Sequence, residues 1–538
     1  MIILQGVAES RRSAITILVV AAFLFAYGAA HRGSEYDEQY TLFLASGLVR
    51  PDFPDQVTTP ALLHSHWYNE SAVPLTSILA RALRDNDVHP PVYFWLVSGW
   101  RRLWALTIPG LGRLITRILS SLSAMLGLIG IGYLARACRA PPALAMAIAL
   151  GCYAFSYTAI IARDFALAET LTIWGSVLAL RMNARAHSLR ECGSYAVSSG
   201  LMLGLACYTN YLAAFIAVPV LLWQMARYPK AGILACVSSA SFLPAGIWFF
   251  LSQHAARTSQ FPPFAIQHAI VLIGRDVTAA IFGGIPRYFS PPLRTTIYGA
   301  LFVSVTYIFW HLRLGLWKKR NMAELYLLLL GTMTPSFGLI FLGVIFDNTP
   351  IEVRYLCFFC PFFSVLIAFA IKHSNYPIIP TGIFLFLQAI GIGGLLIMPQ
   401  TMQPIGAAVR LAVRLATSHT VVLVPFGNDG VGVAGAFVNS APPNMKLLVV
   451  NSRNSLVQLH AALLGVNDLI LVRLATDQQS KIQIEQTEKL LSDLHWKATS
   501  SAPLALVFHR QYHSIPECRK LPEAQTQPKP TAGECASS

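Results

Sequence analysis

The sequence predicts a polytopic α-helical membrane protein that ends in a small α/β domain outside the cytoplasm. Of its 538 residues, 55% are hydrophobic and only 12% are charged, whereas soluble domains carry roughly 25% charged residues. The Lys and Arg residues fall in short clusters between apolar runs. Strand-like runs begin only after Pro399, which separates the membrane part from the terminal domain.

The net charge of +15 does not indicate nucleic acid binding. Because the basic residues mark the loops between apolar runs, they carry information about membrane topology. Nine cysteines are scattered along the chain, and most of them lie in or beside apolar segments, where Cys acts as a small hydrophobe. Cys518 and Cys535 flank the polar tail, and whether they form a disulfide is left open.

The apolar runs predict about eleven membrane spans, since a helix needs about 17–25 residues to cross the hydrocarbon core. The first run, Ser13 to Ala30, follows Arg11 and Arg12 and is interpreted as a retained anchor rather than a cleaved signal peptide. The other predicted spans are 113–134, 142–160, 165–181, 195–209, 211–226, 232–251, 295–311, 324–346, 355–371 and 378–398.

The loop charges predict a cytoplasmic N-terminus and an extracytoplasmic C-terminal domain. The aromatic segment from His89 to Trp104 decides the topology, because it can either cross the membrane or lie on it. If it does not cross, the Lys and Arg clusters between the later spans fall in the cytoplasm; if it crosses, they all fall outside. We therefore predict an interfacial helix on the outer face, within an outer loop over residues 31–112.

The change in composition divides the chain into three regions. Residues 1–399 form the membrane domain, 400–515 the α/β domain and 516–538 a tail whose Pro, Gln, Ser and Ala content predicts disorder. Gly427, Gly430, Gly432 and Gly435 after the first strand match no phosphate-binding pattern and predict a flexible turn. The strand-like runs are 420–424, 446–450, 468–472 and 504–508, with a helical stretch over 477–494.

Several ionisable and aromatic motifs fall on the outer side under this topology. Carboxylates so close to a bilayer are costly unless they face a wet cavity or bind something. We expect the motifs to line one extracytoplasmic cavity that holds a phosphate and removes a proton. They are Asp37-Glu38, His89-Pro90-Pro91, Arg117, Arg163-Asp164, the segment Tyr208 to Tyr211, and the segment Glu352 to Tyr355.

The order of these motifs over residues 12–400 resembles the polyprenyl-phosphate-dependent glycosyltransferases of the GT-C superfamily. The resemblance is to the branch that contains the protein O-mannosyltransferases and the lipid A aminoarabinose transferase. It implies an inverting transfer of a sugar from a polyprenyl phosphate to an acceptor on the outer leaflet. It also implies Asp37 as the general base, within hydrogen-bond reach of the acceptor, and Glu38 as a second acid that orients the site.

The resemblance further implies that His89, Arg163 and Arg354 bind the donor phosphate, because a guanidinium group matches phosphate oxygens in a bidentate manner. The alternative for each Arg is an anchor that snorkels from a helix end, and for His89 a cap on the aromatic helix. No metal or other cofactor is predicted, and metal dependence is left open. Secondary candidates are Asp164, Arg117, Tyr208, Tyr211 and Tyr355.

Two other functions stay open beside glycosyl transfer: a transporter or flippase of a lipid-linked sugar, and an O-antigen ligase or polymerase. Transporters favour broken helices in corresponding halves of an internal repeat, and the sequence has no clear repeat. The predicted partners are a polyprenyl-phosphate-linked sugar, an acceptor that is a protein, lipid A or another glycan, and the lipids of the inner or plasma membrane.

Overall fold

A computed structural model describes the chain from residue 11 to residue 510 with gaps. The predicted tail with Cys518 and Cys535 lies outside the described residues, and so do Gly427 and Gly430 of the predicted turn. The prediction of a turn is wrong for Gly432 and Gly435, which are buried in the helix Gly432–Ser440. The described ranges are 11–48, 53–67, 76–105, 112–184, 189–253, 261–284, 292–310 in part, 323–374, 378–397, 405–425, 431–450, 459–475 without 460, and 478–510.

The membrane domain is helical. It begins with α1 (Arg11–His31), followed by the helices within residues 31–112, the predicted first outer loop: α2 (Tyr36–Leu44), α3 (Pro60–Trp67), α4 (Thr76–Asn86) and α5 (Val92–Ala105). The bundle continues with α6 (Gly112–Ala137), α7 (Pro142–Gly151), α8 (Tyr153–Ala159), α9 (Phe165–Ala184), α10 (Leu189–Cys207), α11 (Ala214–Arg227), α12 (Pro229–Ala240), α13 (Leu243–Leu251), α14 (Ile266–Phe282), α15 (Ala323–Phe346), α16 (Cys360–His373) and α17 (Ile378–Ile397). Short 3₁₀ segments at Tyr211–Ala213 and Val353–Phe359 precede α11 and α16.

Within the described ranges, six helical segments are long and apolar enough to cross a membrane, or up to eight if two bent pairs each form one span. The protein is therefore a multi-pass membrane protein. The predicted count of about eleven spans is not confirmed, because the apolar segments Cys192–Cys207 and Tyr211–Arg227 have at most 17 residues and the predicted span 295–311 is described only in part. The six segments are α1, α6, α9, α15, α16 with its preceding 3₁₀ segment, and α17; the bent pairs are α7 with α8 and α12 with α13.

The bend of 76° between α7 and α8 occurs at Cys152. A break inside a membrane frees backbone carbonyls, which must find other donors. The Leu150 carbonyl accepts the Ser156 hydroxyl at 2.6 Å, and the Ile148 carbonyl accepts Gln388 Nε2 of α17 at 3.1 Å in addition to the Cys152 N–H at 2.9 Å. These bonds stabilise the break, and α8 then leads directly into the loop 160–164.

The C-terminal domain contains α18 (Ile405–Leu415), β1 (Val421–Pro425), α19 (Gly432–Ser440), β2 (Lys446–Val450), β3 (Asp468–Val472), α20 (Gln478–Asp493), β4 (Trp496–Ala502) and β5 (Ala505–Arg510). The sheet order is β2-β1-β3-β5-β4. Strands β1, β2 and β3 are parallel, and β5 is antiparallel to both β3 and β4. The predicted small α/β domain is thus confirmed, whereas the sequence does not predict β4, because most of its residues are polar and exposed.

This domain packs against the first outer loop. One apolar cluster joins Phe43 and Trp67 of the loop with Val422 and Phe437 of the domain. Thr58 and Leu447 form an antiparallel bridge, in which the Thr58 N–H donates to the Leu447 carbonyl at 2.8 Å. The loop and the domain therefore lie on the same side of the membrane.

The opposite end of the bundle gathers residues from the loops with predicted cytoplasmic positive charge. The Lys372 ammonium donates to the Arg139 carbonyl at 3.2 Å. The Arg181 guanidinium lies over the ring of Tyr133, 5.2 Å from its centroid. These contacts place the three predicted cytoplasmic segments that contain Arg139, Arg181 and Lys372 at one end of the bundle, away from the outer loop.

Candidate active site

The two acids of the first motif lie in the first turn of α2. Glu35 caps the helix through a capping box, in which its side chain accepts the Glu38 N–H. The Glu38 carboxylate in turn accepts the Glu35 N–H at 3.1 Å. This reciprocal pair satisfies two N–H groups that would otherwise lack partners at a helix start, and it fixes where Asp37 and Glu38 lie.

Glu38 is fully buried and bound to Arg117 of α6. Its carboxylate accepts bonds from Arg117 Nε at 2.6 Å and Nη2 at 2.5 Å, and from the Ala162 N–H at 2.8 Å. Burial alone would raise the pKa of Glu38, but Arg117 and the other donors outweigh burial and lower it. A buried, charged pair of this kind holds α2, α6 and the loop 160–164 together.

Arg117 has no donor left for another ligand. Its remaining N–H groups bind the carbonyls of Ala29, Arg32 and Gly33 at 2.9, 2.7 and 2.7 Å. Because a guanidinium group has five N–H donors, these bonds and the two to Glu38 use all of them. The secondary candidate Arg117 therefore lies in the protein interior beside the site.

Asp37 faces a more open space, where it forms an ion pair with Arg354. The Asp37 side chain is 20% exposed and that of Arg354 is 14% exposed. Arg354 also pairs with Glu352, at 2.6 Å from Nε to Oε2, and lies over the ring of Tyr355 at 5.2 Å. The predicted base and one predicted phosphate ligand therefore come from distant parts of the chain and meet here.

His89 and Arg163 form a second group beside this pair. Arg163 Nη2 lies 3.3 Å from both ring nitrogens of His89, and Nη1 donates to the Asp37 carbonyl at 3.4 Å. Asp87 also binds His89, with 2.6 Å between Oδ1 and Nδ1. All three phosphate-binding candidates are thus near Asp37.

Asp87 belongs to this group, although the sequence does not single it out. Its carboxylate is buried, and burial alone would raise its pKa, but His89, Arg163 and the Val88 N–H together lower the pKa to about 2. The sequence shows Asp87 only as one of many acids in the outer loop. The one sequence signal that could have identified Asp87 as a site residue is its position two residues before His89.

Asp164 is buried deeper than Asp37, with 1% of the residue exposed. Asn210 Nδ2 donates to its Oδ2 at 3.0 Å, and its Oδ1 has no partner among the described residues. Burial raises the pKa of Asp164, although His89 and Arg163 oppose this. Asn210 lies inside the predicted motif from Tyr208 to Tyr211, but only the structure shows that it contacts an acid of the site.

The three tyrosine candidates form aromatic contacts around the site. Tyr355 packs against Phe165, with ring centroids 5.9 Å apart. Tyr208 lies against Trp95 of α5 at 6.3 Å, and Tyr211 makes an edge contact with Phe250 at 5.4 Å.

Tyr208 and Tyr211 also line an apolar cavity of about 580 Å³ between α10, α11, α12 and α13. The cavity lies next to the acid group, because Asn210 between the two tyrosines binds Asp164. An apolar space is thus adjacent to a cluster of cations and acids.

No protein-family model matches the chain, and no curated protein sequence matches it. The fold is similar to that of ArnT from Cupriavidus metallidurans bound to undecaprenyl phosphate, with a TM-score of 0.52, 11% identity, and coverage of 93% of this chain and 98% of that chain. A weaker similarity, with a TM-score of 0.42, is to the Archaeoglobus fulgidus oligosaccharyltransferase tethered with an acceptor peptide, at 11% identity over 95% of this chain and 75% of that chain.

ArnT is a lipid A aminoarabinose transferase with the GT-C architecture. At 11% identity the similarity concerns the fold and does not extend to substrate or activity. It covers the membrane bundle and the C-terminal domain together, including residues beyond 400, where the motifs show no resemblance. The GT-C fold predicted from the order of the motifs is therefore confirmed over most of the chain.

Proposed function

We propose that the protein is an integral-membrane glycosyltransferase that moves a sugar from a polyprenyl-phosphate donor to an acceptor on the extracytoplasmic side. The observation that carries this proposal is the Asp37–Arg354 pair in a partly open site, beside the cations Arg163 and His89. The GT-C fold supports it, and the ArnT structure with a similar fold contains undecaprenyl phosphate.

Arg163 and Arg354 are the proposed ligands of the donor phosphate. Each is held by neighbouring carboxylates, since Arg163 lies 3.9 Å from Asp87 and Arg354 pairs with Glu352 and Asp37. The donor phosphate joins the sugar to the polyprenol and has two free oxygens, which match the fork of a guanidinium group in a bidentate manner. Donor binding would then draw Arg354 away from Asp37 and leave the Asp37 carboxylate free for the acceptor.

The cavity beside Tyr208 and Tyr211 is the proposed space for the first part of the polyprenyl chain. It is lined by apolar side chains and borders the acid group through Asn210. Burial of apolar chain surface stabilises binding by about 0.8 kcal/mol for each CH₂ group. A lipid-linked donor thus finds a cation cluster for its phosphate next to an apolar space for its tail.

The proposed reaction is a single displacement. The acceptor oxygen attacks the anomeric carbon, the bond from that carbon to the phosphate oxygen breaks, and the acceptor proton moves to the Asp37 carboxylate. Polyprenyl phosphate leaves with the bonding electrons, and Arg163 and Arg354 stabilise its negative charge. Attack from the side opposite the phosphate inverts the anomeric configuration.

Glu38 has a supporting role in this proposal. Its carboxylate is fully buried and bound by Arg117, so it does not reach an acceptor in the site. Asp164 is the competing candidate for the base, because its raised pKa would favour proton uptake. Its burial separates it from an acceptor in the open part of the site.

A transporter of a lipid-linked sugar is the second candidate, and the break between α7 and α8 favours it. Broken helices in transporters lie at the substrate site, and α8 leads here into the loop with Arg163. The two candidates differ in chemistry, because a transporter leaves the bond between sugar and phosphate intact.

The test uses the purified protein reconstituted in lipid vesicles with undecaprenyl phosphate that carries a labelled sugar. Envelope extract from cells that lack the protein supplies the acceptor. We expect label to leave the lipid fraction while free undecaprenyl phosphate accumulates in equal amount. Label that moves across a vesicle membrane but stays on the lipid would contradict the proposal and support the transporter.

A further inference from the structure

The C-terminal domain covers the helix that carries Asp37. We propose that α19 of this domain is a positioning element of the active site, and that Gly432 and Asn439 are its positioning residues. The inference rests on the proposed function, and it gives the C-terminal domain a role in that function.

Helix α2 depends on its neighbours for its position. It has nine residues, and isolated helices shorter than about 12–15 residues are marginal in water. The buried pair of Glu38 and Arg117 holds α2 against α6. The face that carries Tyr36 and Gln39 needs a second support, and α19 provides it.

Gly432 provides the closest contact between the two helices. The ring of Tyr36 lies so near the Gly432 backbone that a methyl group at position 432 would overlap three of its ring carbons. Glycine is therefore the residue that lets the ring rest on the first turn of α19. Any side chain at this position must displace Tyr36, which is bonded directly to Asp37 in the chain.

Asn439 provides a polar contact near the other end of α19. Its Nδ2 donates to Gln39 Oε1 at 2.6 Å and to the Gly435 carbonyl at 3.1 Å. Gln39 is fully buried, and its Nε2 donates to the Glu35 carbonyl at 3.3 Å. The amide of Gln39 is thereby held between α19 and the start of its own helix.

A hydroxyl pair completes the interface on the N-terminal side of Asp37. The Ser34 and Ser440 hydroxyls are 2.7 Å apart, and Arg113 Nη1 donates to them at 2.6 and 3.2 Å. Together with the contacts of Tyr36 and Gln39, α19 binds the chain both before and after Asp37. The domain thus fixes the segment that carries the proposed base.

Helix α19 is itself well anchored, so it can serve as a fixed support. It packs on α3 and α18, and its Phe437 lies in the apolar cluster that joins the loop to the domain. The Thr58–Leu447 bridge fastens the same loop to the edge of the sheet. A change at Gly432 would therefore move α2 rather than α19.

The experiment compares Gly432→Ala and Gly432→Leu with the wild type for sugar transfer and for binding of undecaprenyl phosphate. A misplacement of about 1 Å can cost roughly 10²-fold in rate, so we expect transfer to fall by about 10- to 100-fold. Donor binding should fall much less than transfer, since His89, Arg163 and Arg354 all lie outside α2, although both arginines also bond to Asp37. Gly99→Ala is the matched control, because a Cβ there meets nothing within 4 Å.

Removal of the Tyr36 ring should relieve the overlap. In a double-mutant cycle, Gly432→Ala should cost much less in a Tyr36→Ala background than in the wild type. Asn439→Ala should lower transfer in the same direction by a smaller factor. Transfer at the wild-type rate in both Gly432 variants, or losses of transfer and donor binding in proportion, would overturn the proposal.

Hydrogen exchange provides a test that needs no activity. We expect faster exchange of the α2 amides, residues 36–44, in Gly432→Leu than in the wild type or in Gly99→Ala. Unchanged exchange would overturn the role of α19 even if the wild type transfers no sugar. A wild type that transfers no sugar refutes the proposed function, whereas normal transfer by the Gly432 variants refutes only the role of α19.

Discussion

Asp37 and Glu38 are neighbours in the sequence and have different surroundings. Asp37 is partly exposed beside Arg354, whereas Glu38 is fully buried beside Arg117. Because consecutive helical residues point about 100° apart, one turn of α2 directs the first acid into the open site and the second into the protein. This geometry suits proton transfer by Asp37 and positioning by Glu38.

The proposed phosphate ligands give a prediction about donor binding. Arg163→Ala or Arg354→Ala should weaken binding of undecaprenyl phosphate strongly, and Arg→Lys should restore it only in part, because an ammonium lacks the bidentate fork. Arg81→Ala is a control, since the Arg81 side chain is 72% exposed and its ion-pair partner Asp85 is 3.9 Å away. Wild-type affinity in both Ala variants would assign these residues to a role as membrane anchors.

Asp87 gives a prediction about pH and stability. Its pKa falls to about 2 in the folded protein, below the usual value of about 3.9. A lowered pKa stabilises the folded state by about 2 kcal/mol above pH 4, and this contribution disappears as the pH falls toward 2. Asp87→Asn should therefore lower the Tm at pH 7, and the difference from wild type should shrink below pH 4. An equal difference at pH 7 and pH 3 would contradict this.

At the scale of elements, regular patterns are predictable and contacts between distant segments are not. The parallel strands follow apolar runs, and β1, β2 and β3 agree with prediction to within one residue at each end. Strand β4 is mostly polar and exposed, so its residues carry no strand signal. It forms because β5 offers an edge to pair with.

The contact between α2 and α6 gives a prediction about stability. Glu38→Gln leaves the buried Arg117 guanidinium without its charged partner, and loss of one member of a buried ion pair costs about 3–5 kcal/mol. We expect a clearly lower Tm in detergent. The control is Glu485→Gln, the same substitution on the exposed side of α20, which should leave the Tm unchanged. A stable Glu38→Gln protein with lost transfer would instead assign Glu38 a chemical role.

For the whole molecule, the sequence predicts which motifs lie on the same side, but it does not predict the contacts between their residues. Topology places Asp37, His89, Arg163 and Arg354 on one side, and their contacts agree with this. The partner of each residue depends on folding of segments far apart in the chain, which no local pattern records. For that reason the sequence makes Arg117 a candidate site residue, although it is bound to Glu38 in the interior.

The predicted orientation of the molecule can be measured with reporter fusions. The positive-inside rule predicts that reporters at about residue 60, 188 and 450 read outside, inside and outside. The packing of the C-terminal domain on the first outer loop requires residues 60 and 450 to agree, whichever side they occupy. A cytoplasmic signal at about residue 450 would contradict the extracytoplasmic site.

The assignment of Asp37 as the base is tested most directly by Asp37→Asn. The amide keeps the size of the side chain and cannot accept the acceptor's proton, and general-base catalysis contributes about 10²–10⁴-fold. The measurement is transfer from a purified polyprenyl-phosphate sugar, with donor binding determined in parallel and Asp164→Asn as the comparison. We predict that Asp37→Asn binds the donor and transfers sugar at least about a hundredfold more slowly, while Asp164→Asn keeps most of its rate. Near-normal turnover in Asp37→Asn with a loss in Asp164→Asn would move the base to Asp164, and full activity in both variants would contradict the mechanism.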